Sequence, residues 1–423
     1  MATASAAAVV AATDDTGLRR MRAPRVRAIA AAVREPDFGR RLAAARRLEA
    51  KRAPAPGASA LFAAALALPG MLPAGAAAQA VADHGIIELK YLDYRDWQPG
   101  ANRMTVRSPS LYALVPLNDT AEFEGSLVYD AMSGASPLYH NTLSGASGLG
   151  VTDYRTAGDA RVTKYFSGWS IGVAGVASSE RDYLSRGASV DARIYSDDRN
   201  RTYAFGIAGA NDRINPANSN AGGITNAPRN SLEYLVGITQ ALSPTAIVQS
   251  NLTYSYGHGY FNDPYKLLDT RPSERRIFAW LTRYNQYFAE PDGALRLSYR
   301  YLDDSFGSNS NTLTAAWVQA LPGEWSVTPA VRYYTQSAAS FYHDPPAGSG
   351  YVPGQRYTMD TRLSAFGALT AGLTVGKVLA DGWSVDLRAD YYRQQANWRI
   401  GGGSPGLEPV SARWLIVGLT KSF

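Results

Sequence analysis

Hydrophobic and polar residues alternate with a period of two along most of the chain after Val81. This period places successive side chains on opposite faces of a β-strand, and no sustained helical period of 3.6 residues competes with it. Gly, Pro, Asn and Asp bound the alternating segments, as turn residues do. The pattern predicts sixteen strands, at 85–96, 103–116, 121–131, 154–166, 169–180, 186–196, 201–212, 231–241, 245–256, 275–288, 294–304, 311–321, 325–335, 363–378, 383–394 and 411–423.

The separation of the two faces is clearest in the fifteenth predicted strand. One face carries Trp383, Val385, Leu387, Ala389 and Tyr391, and the other carries Ser384, Asp386, Arg388, Asp390 and Tyr392. The third, eleventh and thirteenth strands show the same separation. Because the half-buried sheets of a soluble sandwich also alternate, alternation alone does not distinguish a sandwich from a membrane barrel.

Two further features favour a membrane barrel. Trp169, Trp325 and Trp383 each open a strand directly after a tight turn, while Tyr residues stand near the far ends, as in the two aromatic girdles of a membrane-spanning sheet. Connection lengths also alternate, since every even-numbered strand precedes a short turn and all long connections follow odd-numbered strands. The fold class expected is therefore all-β: a transmembrane antiparallel up-and-down β-barrel of about 16 strands with short periplasmic turns and long extracellular loops.

The last predicted strand, 411–423, closes the barrel in this interpretation. Leu415, Val417 and Leu419 are expected to face lipid, and Lys421 to reach the periplasmic headgroups. The strand is expected to pair with the first strand around Ile87–Tyr91, which removes both sheet edges. Its terminal Phe423 resembles the residue that the barrel-assembly machinery reads in outer-membrane proteins.

Residues 1–80 form a predicted leader, and residues 81–423 form the barrel. An apolar core lies within 58–80, a small-residue pattern predicts cleavage after Ala80, and a long basic region precedes the core. A twin-arginine signal at Arg19–Arg20 is disfavoured because the pair lies far from the apolar run. These features predict export through the inner membrane and localisation to the outer membrane of a Gram-negative cell.

Composition excludes several other classes of protein. The chain has no Cys, which excludes disulfide scaffolds, thiolate zinc sites and iron–sulfur ligation. The net charge of +6 belongs to the leader, because residues 1–80 hold 12 Arg/Lys and 5 Asp/Glu while residues 81–423 hold 30 and 31. A nucleic-acid partner is therefore not supported.

A series of motifs gives the chain a family resemblance. In order, they are Asp130-Ala-Met-Ser-Gly-Ala-Ser-Pro137, Ala157-Gly-Asp-Ala-Arg161, Arg199-Asn-Arg201 with Tyr203-Ala-Phe-Gly206, Gln240-Ala-Leu-Ser-Pro244, Gly259-Tyr-Phe-Asn-Asp-Pro-Tyr-Lys266, Arg300–Tyr301 with Asp304-Ser-Phe-Gly307, Arg332-Tyr-Tyr-Thr-Gln-Ser337, Leu363-Ser-Ala-Phe-Gly367 and Gly403-Ser-Pro-Gly-Leu-Glu-Pro409. Over nearly all of 81–423 the chain resembles the proteobacterial outer-membrane proteins of the DUF3570 family, a domain of unknown function. The resemblance implies a secreted outer-membrane β-barrel and carries over no catalytic or ligand residue.

Charged residues on the polar strand faces are the candidate lumen lining. They are Asp159, Arg161, Asp191, Arg193, Arg296, Arg300, Arg332, Asp386 and Arg388. One interpretation is a pore lining whose arginines bias permeation toward anions. The other, which the interleaved signs favour, is a network of salt bridges and hydrogen bonds that also lines any channel.

A loop rich in Tyr, Asp and Pro at 257–272 is a candidate for the barrel mouth. Its candidate residues are Tyr260, Asp263, Tyr265, Lys266 and Arg271. One interpretation is that this loop folds into the barrel as a constriction or a platform for a ligand. The other is a solvated surface loop stiffened by proline, and for any single residue this second interpretation is slightly favoured.

The four histidines show no metal-ligand spacing, and the local pairs His140–Ser144 and His343–Asp344 are explained by chance. We therefore expect no catalytic site, metal or cofactor. The expected function is a porin-like channel or passive transport barrel for small solutes. The alternative is an occluded barrel that serves as a scaffold or binding platform for a periplasmic or surface partner, and an outer-membrane hydrolase ranks third. Expected partners are outer-membrane lipid and lipopolysaccharide, the barrel-assembly machinery and small solutes.

Overall fold

The computed structural model describes residues 80–134, 151–216, 224–264, 266, 268–345 and 348–423, so almost all of the predicted leader lies outside the described residues. The strands are β1 (Ile86–Gln98), β2 (Ala101–Asn118), β3 (Ala121–Gly134), β4 (Val151–Tyr165), β5 (Trp169–Glu180), β6 (Tyr183–Tyr195), β7 (Arg201–Ile214), β8 (Ala227–Ser243), β9 (Ala246–Gly259), β10 (Glu274–Phe288), β11 (Gly293–Asp304), β12 (Ser308–Leu321), β13 (Trp325–Gln336), β14 (Phe366–Val378), β15 (Trp383–Gln395) and β16 (Val410–Ser422). The predicted strands are confirmed, with ends that differ by a few residues.

Every strand pairs antiparallel with its neighbours in the sequence, and β1 pairs with β16 to close the barrel. Ile87 lies opposite Lys421 and Tyr91 opposite Val417, which confirms the predicted closing register. Beyond the strands, the backbone N–H of Gly85 donates to Phe423 O at 2.8 Å and the N–H of Phe423 donates to Gly85 O at 3.0 Å. Closure leaves no open sheet edge, which a sheet in hydrocarbon requires.

All seven connections between the described strands at one end of the barrel are short, whereas the other end carries the long connections and three short ones, after β1, β5 and β11. Several of these seven require a left-handed backbone, at Asp292 (φ 61°), at Gly323 (φ 73°) and at Gly382 (φ 75°), and this explains the Gly and Asp in the turn sequences. The long connections lie at the other end and include the short 3-10 helices Thr361–Leu363 and Ala396–Trp398. Among the described residues, no helix is long and apolar enough to cross a membrane.

Side chains alternate between a lipid-facing outer surface and the lumen. In β16, Leu415, Val417 and Leu419 are exposed on the outside, whereas the intervening residues are buried inside. Trp169, Trp325 and Trp383 form an outer girdle at the turn end. The Lys421 ammonium lies 5.3 Å from the centre of the Trp383 ring and donates to the Asp381 carbonyl, as expected for a lysine at headgroup level.

Candidate functional site

The pleat of the barrel turns all nine predicted lumen residues inward. Asp159 and Arg161 project from β4, Asp191 and Arg193 from β6, Arg296 and Arg300 from β11, Arg332 from β13, and Asp386 and Arg388 from β15; each occupies an inward position in the alternation of its strand. The structure brings these residues into two different environments, one of mixed sign and one dominated by arginine.

The mixed-sign environment covers β1–β8 and β15. Arg161 donates to Asp191 and lies 3.8 Å from Glu124, and the Arg161 Nε donates to Thr163 Oγ1 at 3.2 Å. Arg388 likewise donates to Asp390, at 2.9 Å for its Nη2. Further inward pairs are Lys90–Glu88, Arg103–Asp96, Arg155–Asp130 and Arg229–Asp212. Most of these paired groups are buried beside an opposite charge, as in the salt-bridge network of the sequence interpretation.

The second environment is an arginine wall, formed by Arg283, Arg296, Arg300 and Arg332 on β10–β13. The pairing register aligns Arg283, Ser298, Thr314 and Arg332 in one row across the four strands. On the inward positions of these described strands, the single carboxylate is Asp304, which pairs with Arg275 at the long-loop end. The sequence prediction identified three of the four wall residues. It missed Arg283 because both faces of β10 carry polar as well as hydrophobic residues, so alternation does not identify the inward face of this strand.

The partly accessible members of the arginine wall lie on β10 and β11, whereas Arg332 on β13 is buried. The inward residues Arg283, Asn285, Arg296, Ser298 and Arg300 are all half-buried. Across the barrel, inward Glu122 and Glu233 are each 1% exposed and Asp191 is 4% exposed. Accessible surface inside the barrel is therefore uneven: inward carboxylates on the side of β3–β8 are buried, whereas the inward residues of β10 and β11 are half-buried.

A lid covers the long-loop end of the same sector, and it consists of loops 260–273 and 337–365. An isolated backbone bridge joins Thr270 of the first loop to Tyr357 of the second, and another joins Tyr342 to Thr358 within the second loop. Gln336, inward at the end of β13, donates to the carbonyls of Arg362 and Ser364 at 2.9 and 2.6 Å. These contacts attach the lid to the inside of the barrel wall.

A buried cluster of six charges ties the two lid loops together. Its members are Asp263, Lys266, Asp269, Arg271, Asp360 and Arg362, which we call the lid ion cluster. The Lys266 ammonium lies 3.1 Å from both Asp263 and Asp360, and Arg271 bridges Asp269 at 2.7 Å and Asp360 at 2.9 Å. Thr358 Oγ1 adds a hydrogen bond to Asp269 at 2.6 Å.

The electrostatics of the cluster keep its carboxylates ionised. Burial opposes the charge of Asp360, but Arg362, Lys266 and Arg271 outweigh burial and hold its pKa well below the usual range. Lys266 and Arg362 likewise lower the pKa of Asp263. Burial, with Asp269 and Asp263 nearby, raises the pKa of the Tyr260 hydroxyl to about 12. The lid ion cluster thus combines three acidic and three basic side chains, and the ionised forms of Asp263 and Asp360 are favoured.

An apolar layer lies beside the ion cluster. Phe261, Phe306, Ala339, Phe341 and Leu363 pack together, with the Phe306 and Phe341 rings 5.1 Å apart. The inward Arg229 guanidinium lies 5.4 Å from the Phe261 ring centre. A third connection, 396–409, also enters the barrel, because its Leu407 is buried among inward residues of β1, β2 and β14–β16.

These contacts correct the favoured sequence interpretation of the mouth loop. Lys266 is 3% exposed and Asp360 is inaccessible, so the loop is not a solvated surface segment. Of the predicted mouth residues, Asp263, Lys266 and Arg271 meet in the ion cluster, Tyr260 lies beside it, and Tyr265 lies outside the described residues. The sequence could not reveal Asp360 and Arg362 as partners, because they lie about ninety positions further along the chain.

The histidines do not build a site in the part of the chain that the structure describes. The His343 ring stacks on Tyr357 with centres 4.8 Å apart, and His258 lies 4.0 Å from Glu274 on the exposed rim. His140, and with it the pair His140–Ser144, lies outside the described residues. No group of three or more metal-ligating side chains occurs among the described residues.

Solved structures similar to the chain include several barrels of the outer membrane. CdiB from Acinetobacter baumannii aligns with a TM-score of 0.47 and 11% identity over 80% of this chain, which spans 60% of the CdiB chain. A Pseudomonas aeruginosa FadL homologue aligns with a TM-score of 0.40 and 13% identity, covering 81% of this chain and 90% of its own. P. aeruginosa OccK2 in complex with glucuronate aligns with a TM-score of 0.41 and 11% identity, covering 80% and 98%.

No curated protein matches the sequence. One family model does, and it is described as a protein of unknown function, DUF3570; the match extends over residues 140–411. The matched region starts later than the resemblance in the motifs, so the stretch Asp130–Pro137 and all of β1–β3 lie before it. It includes both lid loops and the whole arginine wall, and the chain belongs to the DUF3570 family.

Proposed function

We propose that this protein is a passive channel for small solutes across the outer membrane. The observation that carries the proposal is the row of half-buried polar and arginine residues on the inner face of β10 and β11, which leaves accessible polar surface inside the barrel. Barrels of about sixteen strands are wide enough to hold water, whereas side chains fill barrels of about eight strands. Because the lid covers the long-loop end of β10–β13, we infer that the channel is narrow at that end.

Single-channel recording tests the proposal directly. Purified full-length protein in a planar lipid bilayer is expected to give discrete, ohmic current steps in potassium chloride. Protein heated until its gel mobility changes to that of the unfolded form is the control, and it is expected to give none. A folded, heat-modifiable preparation that passes no current at any voltage would overturn the channel and favour the occluded scaffold barrel.

Outward-facing arginines at the long-loop end of the barrel support a second proposal, that lipid binds there. Outward Arg95 and Arg413 lie opposite each other on β1 and β16, and outward Arg107 lies opposite Asp93. The side chains of Arg95 and Arg107 are 49% and 61% exposed. Arginine forks bind phosphate oxygens well, so we propose that these residues contact the phosphates of lipopolysaccharide in the outer leaflet.

Binding of lipid A by detergent-solubilised protein tests this contact. Replacement of Arg95, Arg107 and Arg413 by glutamine is expected to weaken binding at least tenfold. The matched control replaces Arg186, Arg201 and Arg213, which are also exposed but lie on β6 and β7, and is expected to bind like the wild type. Equal affinities for the two triple variants would refute the proposed contact.

A further inference from the structure

One guanidinium group of the arginine wall, that of Arg300, lies near two others. Arg283 on β10 and Arg332 on β13 occupy the same row across the strands, in which β11 contributes Ser298. Arg300 is the next inward residue along β11 after Ser298. The charge of Arg300 acts on both Arg283 and Arg332. Like charges held this close repel each other, and a bound anion removes that repulsion. We call Arg283, Arg300 and Arg332 the arginine triad.

An unsatisfied hydroxyl marks the same place on the wall independently. Thr312 projects inward from β12, directly between Arg300 on one neighbouring strand and Tyr334 on the other. It is 7% exposed, and its Oγ1 has no hydrogen-bond partner among the described residues. Buried polar groups normally have partners, so a hydroxyl left without one beside arginines indicates a ligand atom that completes its bonding.

The ring of Tyr334 lies beside one member of the triad and connects it to the lid. The Arg332 guanidinium lies 5.9 Å from the centre of the Tyr334 ring, within the range of a cation–π contact. The Tyr334 hydroxyl donates to Gln336 Oε1 at 2.6 Å, and Gln336 in turn holds the lid carbonyls of Arg362 and Ser364. The triad therefore lies below the lid on a wall whose side chains are fixed, and it does not line an open mouth.

We propose that the arginine triad and Thr312 form a binding site for small polycarboxylates on the permeation path, a proposal that rests on the channel function above. Guanidinium forks match carboxylates in geometry and charge. The triad spans β10 to β13, roughly 14 Å at about 4.8 Å per strand. A solute with several separated carboxylates fits this spread better than a single phosphate does.

Reversal potentials and citrate block test the proposal in planar bilayers. In a potassium chloride gradient the wild type is expected to prefer chloride, and the R283Q/R300Q/R332Q variant to lose that preference at least threefold. Citrate is expected to block the chloride current, with a half-blocking concentration at least tenfold higher in the triple variant. Replacement of the outward Arg186, Arg201 and Arg213 by glutamine, which also removes three positive charges, is the matched control and should behave like the wild type.

Two further measurements distinguish direct contact with the bound anion from the general effect of positive charge in the lumen. Thr312→Val keeps the shape and every charge, so the ion preference should stay unchanged while citrate block weakens about threefold. Inorganic phosphate should block less than citrate in the wild type. R300Q alone, checked for folding by its heat-modifiable gel shift, gives the single-charge effect if the triple variant does not fold.

The possible results distinguish the site from the channel. A wild type that passes no current overturns the channel function itself. A wild type that conducts, but whose ion preference and citrate block are unchanged in R300Q and in the triple variant, overturns the anion site and leaves the channel. Phosphate block that is stronger than citrate block overturns the assignment to polycarboxylates.

Discussion

Asp360 joins two lid loops that are distant in the sequence. It accepts from Arg271 at 2.9 Å, 89 positions away, and from Arg362 Nε at 2.8 Å, and it lies 3.1 Å from the Lys266 ammonium. Three cationic groups share this one buried carboxylate. Removal of one member of a buried ion cluster leaves the remaining charges uncompensated, which costs more than the cluster contributes relative to apolar residues.

Asp360→Asn is therefore expected to loosen the lid by about 3 kcal/mol or more. The measurement is limited trypsin digestion of the folded barrel, with cleavage after Lys266 and Arg362 followed by mass spectrometry. Cleavage at these sites should be at least a hundredfold faster than in the wild type. Asp344→Asn is the control, because Asp344 lies in the same loop outside the ion cluster, and equal rates in the two variants would contradict the role of Asp360.

Each strand has one face for lipid and one for the lumen. β16 shows the requirement most simply, with Leu415, Val417 and Leu419 outside and Ile416, Gly418 and Thr420 inside. A Cβ at Gly418 would lie 2.1 Å from Asp386 Oδ1, so any other residue there would displace this carboxylate. A shift of one residue in the register would exchange the two faces, so the membrane itself fixes the register of the closing strand.

Val417→Arg tests which face of β16 meets hydrocarbon. Val417 lies between the girdle residue Lys421 and the rim residue Arg413, opposite Tyr91 and Leu387. An arginine at the membrane midplane is expected to destabilise the barrel by about 2–4 kcal/mol, measured by denaturant unfolding in lipid vesicles. Ser411→Arg, outward near the rim, should cost about 0–1 kcal/mol, and similar losses at the two positions would place the hydrocarbon elsewhere.

At the scale of the whole molecule, the charge of the lumen is asymmetric and the lid covers its accessible side. Paired charges fill the side of β1–β8, whereas the half-buried arginines follow β10 and β11 below loops 260–273 and 337–365. The lid ion cluster is held closed by carboxylates whose pKa values are lowered in the folded state. Such groups contribute stability above their unfolded pKa, near 3.9, and lose it as the pH falls through the folded values.

The conductance is therefore expected to stay constant between pH 5 and pH 8, because Asp263 and Asp360 remain ionised throughout this range. It should rise only in strong acid, well below pH 4, when these carboxylates take up protons and the lid opens. Single-channel recording over this range measures the effect. Asp360→Asn, with its lid already loosened, should show a higher conductance at neutral pH and a smaller acid response; a step between pH 5 and pH 8 would contradict the sign of these pKa shifts.

The sequence by itself determined the barrel, its strands, its two ends and the inward direction of residues such as Arg300 and Asp386. These properties are local: a period of two, turn residues and aromatic girdles all act within one strand or one turn. The tertiary structure alone decided which charges meet. Arg161 on β4 pairs with Asp191 on β6, and Arg300 on β11 lies near Arg283 and Arg332. The periodicity within one strand carries no information about which residues of other strands lie nearby.

The same reason explains the lid. The sequence identified Asp263 and Lys266 as candidates within one loop. Their burial depends on Asp360 and Arg362, which belong to another loop. The two loops contact each other because the folded barrel places the ends of β10 and β13 in one sector. Hydrophobic alternation fixes where a chain crosses the membrane because lipid contacts one residue in two. What the lumen holds depends on side chains that come from strands far apart in the sequence, and only the closed structure places them together.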